Sequence, residues 1–135
     1  MRHPVVLSVD DEVEGLIGRE ALLKQAGCVV LISTSPFEAL KLFALFHVDA
    51  VVLDFQMPEM RGDMLALRMK RLKPDVPIMM LSGNDSLPEE VLDHVDRFMS
   101  KREQPRAFVA AVQILLAERK SFFSKWLRDW KRKAA

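Results

Sequence analysis

Four short pieces of the sequence carry groups that could do chemistry together. They are Val9-Asp10-Asp11-Glu12, Leu53-Asp54-Phe55-Gln56-Met57-Pro58, Leu81-Ser82-Gly83 and Met99-Ser100-Lys101. Each follows or ends a short apolar run. Asp54 closes Ala50–Asp54, a run rich in β-branched residues that reads as a buried strand. Asp is rarely buried without a partner, so Asp54 either caps the following loop or belongs to a site. Three carboxylates gathered in one place repel one another, and a divalent cation relieves that. With few His or backbone donors evident, the ligands are oxygens, which suits Mg²⁺ better than zinc. Mg²⁺ keeps waters and shares phosphate oxygens, and a lysine and a hydroxyl beside it would hold a transferring phosphoryl group. Asp54 would then be the nucleophile, as in aspartyl-phosphate chemistry.

The elements that must position these residues follow from the pattern. Pro4–Val9 reads as a first strand. Asp11 and Glu14 have capping-box spacing for a helix with Val13, Leu16, Ile17 and Leu23 inward, stopped by Gly27. Val29–Ile32 is a second strand. Ser35-Pro36-Phe37-Glu38 starts a helix with Phe37, Leu40, Phe43 and Ala44 as its inner stripe. After Ala50–Asp54, a helix from Asp63 turns Leu65, Met69 and Leu72 inward and closes before Pro74. Ile78–Ser82 is the fourth strand. Ser86 and Glu89 suggest another capped helix running to about His94. Arg97–Ser100 is the fifth strand, and Pro105 opens a helix carrying Phe108, Val109, Val112, Leu115 and Leu116. Five β-then-α units imply an α/β fold with a parallel sheet and helices on both faces. In such a sheet all strand carboxyl ends share one edge, which gathers Asp10, Asp11, Asp54, Ser82 and Lys101.

Composition narrows the class. The 135 residues are 50% hydrophobic and 29% charged, as expected of one soluble domain with a real core. No stretch approaches a membrane span. The first residues lack the features of a signal peptide, and a single cysteine, Cys28, suits a reducing compartment, so a cytoplasmic setting is expected. His3, His47 and His94 are scattered and read as surface histidines.

Taken together in order, VDDE, LDFQMPEMRG, LSG and FMSK resemble the receiver domain of two-component response regulators. The resemblance covers residues 4 to about 118. It implies a flavodoxin-like, doubly wound sheet of order 2-1-3-4-5, with Asp54 as phosphoacceptor. It implies Mg²⁺ (or Mn²⁺) held by Asp11, Asp54 and the backbone carbonyl of Gln56, and by Asp10 through water. Ser82 and Lys101 would stabilise the phosphoryl group. Ser82 and Phe98 would form the switch that remodels the face made by the fourth helix, fifth strand and fifth helix. Gln56 and Asn84 occupy positions that tune phosphoryl lifetime. The implied partners are a histidine kinase or a histidine phosphotransfer protein, and a downstream protein. The implied role is a self-phosphorylating and self-dephosphorylating signalling domain rather than a turnover enzyme. One departure is Arg102, where the family usually has proline after its lysine, often with a cis peptide. A trans Lys101–Arg102 bond is predicted, since a cis bond to a non-proline residue costs about 3–4 kcal/mol. Arg102 also leaves open a receiver-like adaptor that no longer switches. A Mg²⁺ phosphohydrolase of the haloacid-dehalogenase type would want a second Asp where Gln56 stands.

Residues 1–118 form the expected receiver domain and 119–135 a basic aromatic extension of its last helix. Seven Lys/Arg and one Asp fall in that extension, against 13 basic and 18 acidic residues in the remainder. Phe122, Trp126 and Trp130 recur every four residues, with Arg128 and Lys131 among the cations opposite. The readings are aromatics packed on the body or on a second copy as a homodimer, then contact with an anionic membrane surface, then nucleic acid or another partner helix.

Overall fold

A computed structural model describes residues 2–134, with the side chains of residues 120–123 outside that description. Five parallel strands, β1 (Val5–Val9), β2 (Val29–Ser33), β3 (Ala50–Asp54), β4 (Ile78–Ser82) and β5 (Arg97–Ser100), form one sheet in the order β2-β1-β3-β4-β5. Four α-helices connect or follow them: α1 (Val13–Gln25), α2 (Pro36–Leu45), α3 (Gly62–Leu72) and α4 (Pro105–Ala134). The expected flavodoxin-like order is therefore present.

Strand alternation divides the core in two. Leu7, Val51, Leu53 and Ile78 face α2 and α3, meeting Ala39, Phe43, Leu65 and Met69. Val6, Val52, Met79 and Leu81 face the other way, against Leu23 of α1 and Phe108, Ala111, Val112 and Leu115 of α4. The central strands β3 and β4 are buried along their whole length, as parallel strands covered on both faces require.

Ser35 caps α2 as expected, accepting from the Glu38 amide at 3.4 Å, with Pro36 following it. Gly27 ends the α1 segment at φ +95, a conformation costly for any side chain. Other local expectations need correction. Asp11 does not cap α1; the cap is Glu12, without a side-chain bond. Val13 and Ile17 are exposed while Leu16 and Leu23 are buried, because α1 presents a narrow stripe to the sheet. On α2 the buried residues are Pro36, Ala39 and Phe43, and both Phe37 and Ala44 face solvent. Leu72 at the end of α3 is also exposed. The helix expected after Ser86 is a single 3-10 turn, Glu89–Leu92, with no buried residue. Pro88 disfavours helical backbone at Leu87, and the segment offers little apolar surface to dock a helix.

The two edges of the sheet use carboxylates differently. At the amino-terminal edge they tie strands together. Asp49 accepts from the Val5 amide at 2.8 Å, and Asp96 accepts from the Ile78 amide at 2.8 Å. The carboxyl-terminal edge gathers the chemistry.

Candidate functional site

β1 runs straight into Asp10, whose backbone amide continues the sheet by donating to Ser33 O at 3.2 Å. This fixes Asp10 at the strand end, 1% exposed. Its Oδ1 accepts from the Glu12 amide at 2.9 Å, which closes the turn into α1. Its Oδ2 meets two cations, the guanidinium of Arg19 and the Lys101 Nζ at 3.0 Å. Burial opposes the charge on Asp10. The Glu12 amide, Lys101 and Arg19 outweigh it and hold the carboxyl below its usual range.

Asp54 closes β3 and is 4% exposed. The loop that follows is pinned by buried Phe55 and Met57 and by the Gly62 amide, which donates to Phe55 O at 2.8 Å. Lys101 Nζ lies 3.1 Å from Asp54 Oδ1, so one ammonium bridges Asp10 and Asp54. Burial, with the Asp10 carboxylate beside it, pushes Asp54 up to about 6 despite the lysine. Burial works against the Lys101 charge, but the two carboxylates override it and raise its pKa.

Lys101 is delivered by the β4–β5 pair. Its amide donates to Ser82 O at 2.8 Å, and Ser82 and Ser100 are register partners. The Lys101–Arg102 peptide is trans, as predicted from the sequence. The loop turns through the Arg102 and Glu103 amides, which donate to Ser100 Oγ and Ser100 O. Arg102 itself is exposed and lies 3.6 Å from Asp85. Ser82 is 2% exposed, and its hydroxyl accepts from the Asn84 amide at 3.1 Å.

These groups surround an open cleft of about 510 Å³ lined by Asp11, Asp54, Gln56, Pro58, Gly83 and Lys101, among others. Asp10, Asp11 and Asp54 each offer a carboxylate oxygen within 4.8 Å of the others. Asp11 Oδ1 is buried and has no hydrogen-bond partner among the described residues. An orphaned acceptor beside two further hard oxygen donors fits a small divalent cation of the Mg²⁺ type. The arrangement can therefore hold a cation, present a carboxylate nucleophile and neutralise an incoming anion.

Of the residues expected at the site, Asp10, Asp11, Asp54, Gln56 and Lys101 converge, and Ser82 borders them. Phe98 is half-buried on β5, outside the cleft lining. Trp126 and Trp130 are 54% and 56% exposed, far from packing on the body; Phe122 lies outside the described side chains. Arg19 was not foreseen. Its only sequence signal is Gly15 one turn earlier, where a Cβ would sit 3.2 Å from the Arg19 guanidinium.

Comparison with known proteins agrees with this geometry. The family profile of the response regulator receiver domain matches residues 6–113. The chain is 34% identical over 115 residues to the autoinducer 1 sensor kinase/phosphatase LuxN of Vibrio campbellii, covering 84% of this chain and 13% of that protein. It is 31% identical over 121 residues to the transcriptional regulatory protein PrrA of Mycobacterium bovis, covering 87% of this chain and 52% of PrrA. The chain thus spans about half or less of these relatives. A receiver domain protein from Methanospirillum hungatei superposes with TM-score 0.84 at 24% identity, covering 89% of this chain and 98% of that one. The response regulator TrrA of Thermotoga maritima, solved with Mg²⁺ and BeF, superposes with TM-score 0.78 at 25% identity, covering 83% and 98%.

Proposed function

The chain belongs to the response regulator receiver domain family, and from that premise we propose that Asp54 accepts a phosphoryl group from a phosphohistidine donor. One Asp54 oxygen forms the new O–P bond while the P–N bond of the donor imidazole breaks. The imidazole leaves and takes up a proton. The observation that carries this reading is the single lysine bridging Asp10 and Asp54 at 3.0 and 3.1 Å, above an open cleft with a third carboxylate.

A Mg²⁺ or Mn²⁺ ion held by Asp11, Asp54, the Gln56 carbonyl and, through water, Asp10 would neutralise charge developing on the phosphoryl oxygens. The protein's own groups do the rest. Lys101 Nζ follows the phosphoryl group as a cationic donor. Ser82 releases the Asn84 amide and donates its hydroxyl to a phosphoryl oxygen. Phe98, half-buried on the edge strand β5, responds to that movement. In this chain the responding face is β5 with the Glu89–Leu92 turn and α4, since no α-helix lies between β4 and β5. Val13 and Ile17, one turn apart and both exposed at the start of α1, give the donor an apolar landing beside the cleft. The domain signals by protein contact, and its own chemistry is phosphoryl gain and loss rather than turnover of a substrate.

Beryllium fluoride tests this, because it coordinates a carboxylate as a phosphoryl group would. With Mg²⁺ present, the amide resonances of Ser82, Asn84 and Lys101 are expected to shift, and the Asp54→Asn variant is expected to show no shift. Equal shifts in the variant would overturn Asp54 as acceptor.

A further inference from the structure

Helix α4 is 30 residues long, but the body covers only its first half. Phe108, Ala111, Val112 and Leu115 are buried against the sheet. At the edge, Arg119 fixes the helix by donating to Val48 O at 3.1 Å and pairing with Asp49 and Asp75 at 2.6 and 3.0 Å. Beyond Arg119 the helix continues to Ala134, an overhang of about 22 Å at 1.5 Å per residue.

The overhang repeats part of the docking face, with Asp129 and Lys133 at the places of Ala111 and Leu115. Trp126, Leu127 and Trp130 follow Phe108, Val109 and Val112 by 18 residues each, which is about five whole turns. They therefore point to the side on which the body lies, yet they are 54%, 43% and 56% exposed. Lys125, Arg128 and Arg132 fall on the opposite side. The apolar stripe and the flank of the body enclose an inner corner. At its root is a cavity of about 590 Å³ lined by Pro4, His47 and Asp49 from the body and Leu116, Ala117 and Arg119 from α4.

This shape selects the occupant. A basic amphipathic helix with tryptophans suits an anionic lipid surface by composition. Here a flat surface would meet the sheet and the α2–α3 layer before it reached the tryptophans. A single helix fits the corner. Residues 119–135 carry a net +6 and residues 1–118 a net −5, so the overhang of one copy is drawn to the body of another. We propose that the overhang pairs in antiparallel fashion with the same segment of a second copy, Trp126, Leu127 and Trp130 meeting their equivalents about a two-fold axis. Each tail then fills the other's inner corner, its basic end at Lys131, Arg132 and Lys133 lying beside the acidic body of the other copy. A fully buried tryptophan contributes roughly 150–250 Å², and with a little over half of each still exposed four newly bury about 300–550 Å², below the roughly 1,200 Å² of stable specific interfaces. The dimer is accordingly weak and dissociates in the micromolar range.

Sedimentation equilibrium of the full chain through micromolar concentrations, with tryptophan emission recorded alongside, tests the pairing. The wild type is expected to pass from monomer to dimer with a blue shift. Trp126→Glu combined with Trp130→Glu is expected to remain monomeric, with an unchanged circular dichroism spectrum and urea midpoint. Lys125→Gln, on the opposite side, is expected to dimerise like the wild type. A wild type that stays monomeric, or a double variant that dimerises equally, overturns the proposal. So does a monomeric wild type whose tryptophan emission shifts only on phosphatidylglycerol vesicles, which would assign the stripe to lipid.

Discussion

A Cβ on Gly62 would lie 2.4 Å from the carbonyl oxygen of Asp54 and 3.0 Å from the Phe55 Cα. The first residue of α3 is thus packed on the backbone that carries the Asp54 carboxylate. Backbone cannot step aside as a flexible side chain can, so Gly62→Ala must push β3 or α3 away. Overpacking of this kind costs roughly 1–3 kcal/mol. Urea denaturation is expected to show that loss, and the variant is expected to accept phosphoryl groups more slowly because Asp54 has shifted against Lys101.

The raised pKa of Asp54, about 6, makes metal-free stability depend on pH in a defined direction. Between the unfolded value near 4 and about 6, the folded chain binds more protons than the unfolded chain. Stability contributed through this group therefore falls as pH rises through that window. Asp54→Asn removes the effect and is expected to be more stable than wild type above pH 6 in EDTA, by about 1–3 kcal/mol. Below pH 4 the two should converge. Asp10, held low, works in the opposite sense, so the difference between the two proteins is the quantity to measure.

Divalent cation binding should be visible as stabilisation. Three carboxylates within 4.8 Å gain a partner only in the folded state, and a ligand at ten times its Kd adds about 1.4 kcal/mol. That corresponds to a rise in Tm of about 3–6 °C for a chain of this size. Asp11→Ala is expected to abolish the rise and to leave the metal-free Tm no lower than that of the wild type, since Asp11 Oδ1 is buried without a partner beside two other carboxylates. Differential scanning calorimetry with MgCl₂ and with EDTA reads both effects.

Lys101→Met separates structure from chemistry. Removing the bridge leaves Asp10 and Asp54 facing each other with Arg19 as the remaining cation on Asp10. The metal-free variant is expected to lose about 1–3 kcal/mol. Mg²⁺ is expected to restore much of that stability, because it neutralises the same carboxylates. Phosphoryl transfer should stay slow by at least tenfold, because the metal does not supply the ammonium donor. Recovery of both together would contradict the separate role given to Lys101.

The site was legible largely because a parallel sheet leaves little freedom. Once β1, β3, β4 and β5 are recognised as parallel, Asp10, Asp54, Ser82 and Lys101 must share an edge, whatever the helices do. What could not be read were features set by packing rather than by periodicity. Ser86 and Glu89 have capping spacing, yet Pro88 and the scarcity of apolar partners leave only a 3-10 turn. Val13 and Ile17 have helical spacing with Leu16, yet the narrow contact of α1 with the sheet buries only Leu16 and Leu23. Arg19 reaches Asp10 because Gly15 leaves room beside it, a relation no spacing rule announces. The tail's aromatic repeat was plain, but only the direction of α4 past Arg119 shows that the stripe has no cover from the body.

Intact-mass spectrometry after incubation with acetyl phosphate and Mg²⁺ tests the central claim most directly. The wild type is expected to gain one phosphoryl group, and none should be gained with EDTA or in Asp54→Asn. An adduct of equal yield in Asp54→Asn, or none in the wild type with acetyl phosphate and with a phosphorylated histidine donor alike, would contradict the assignment of Asp54 as a working phosphoacceptor.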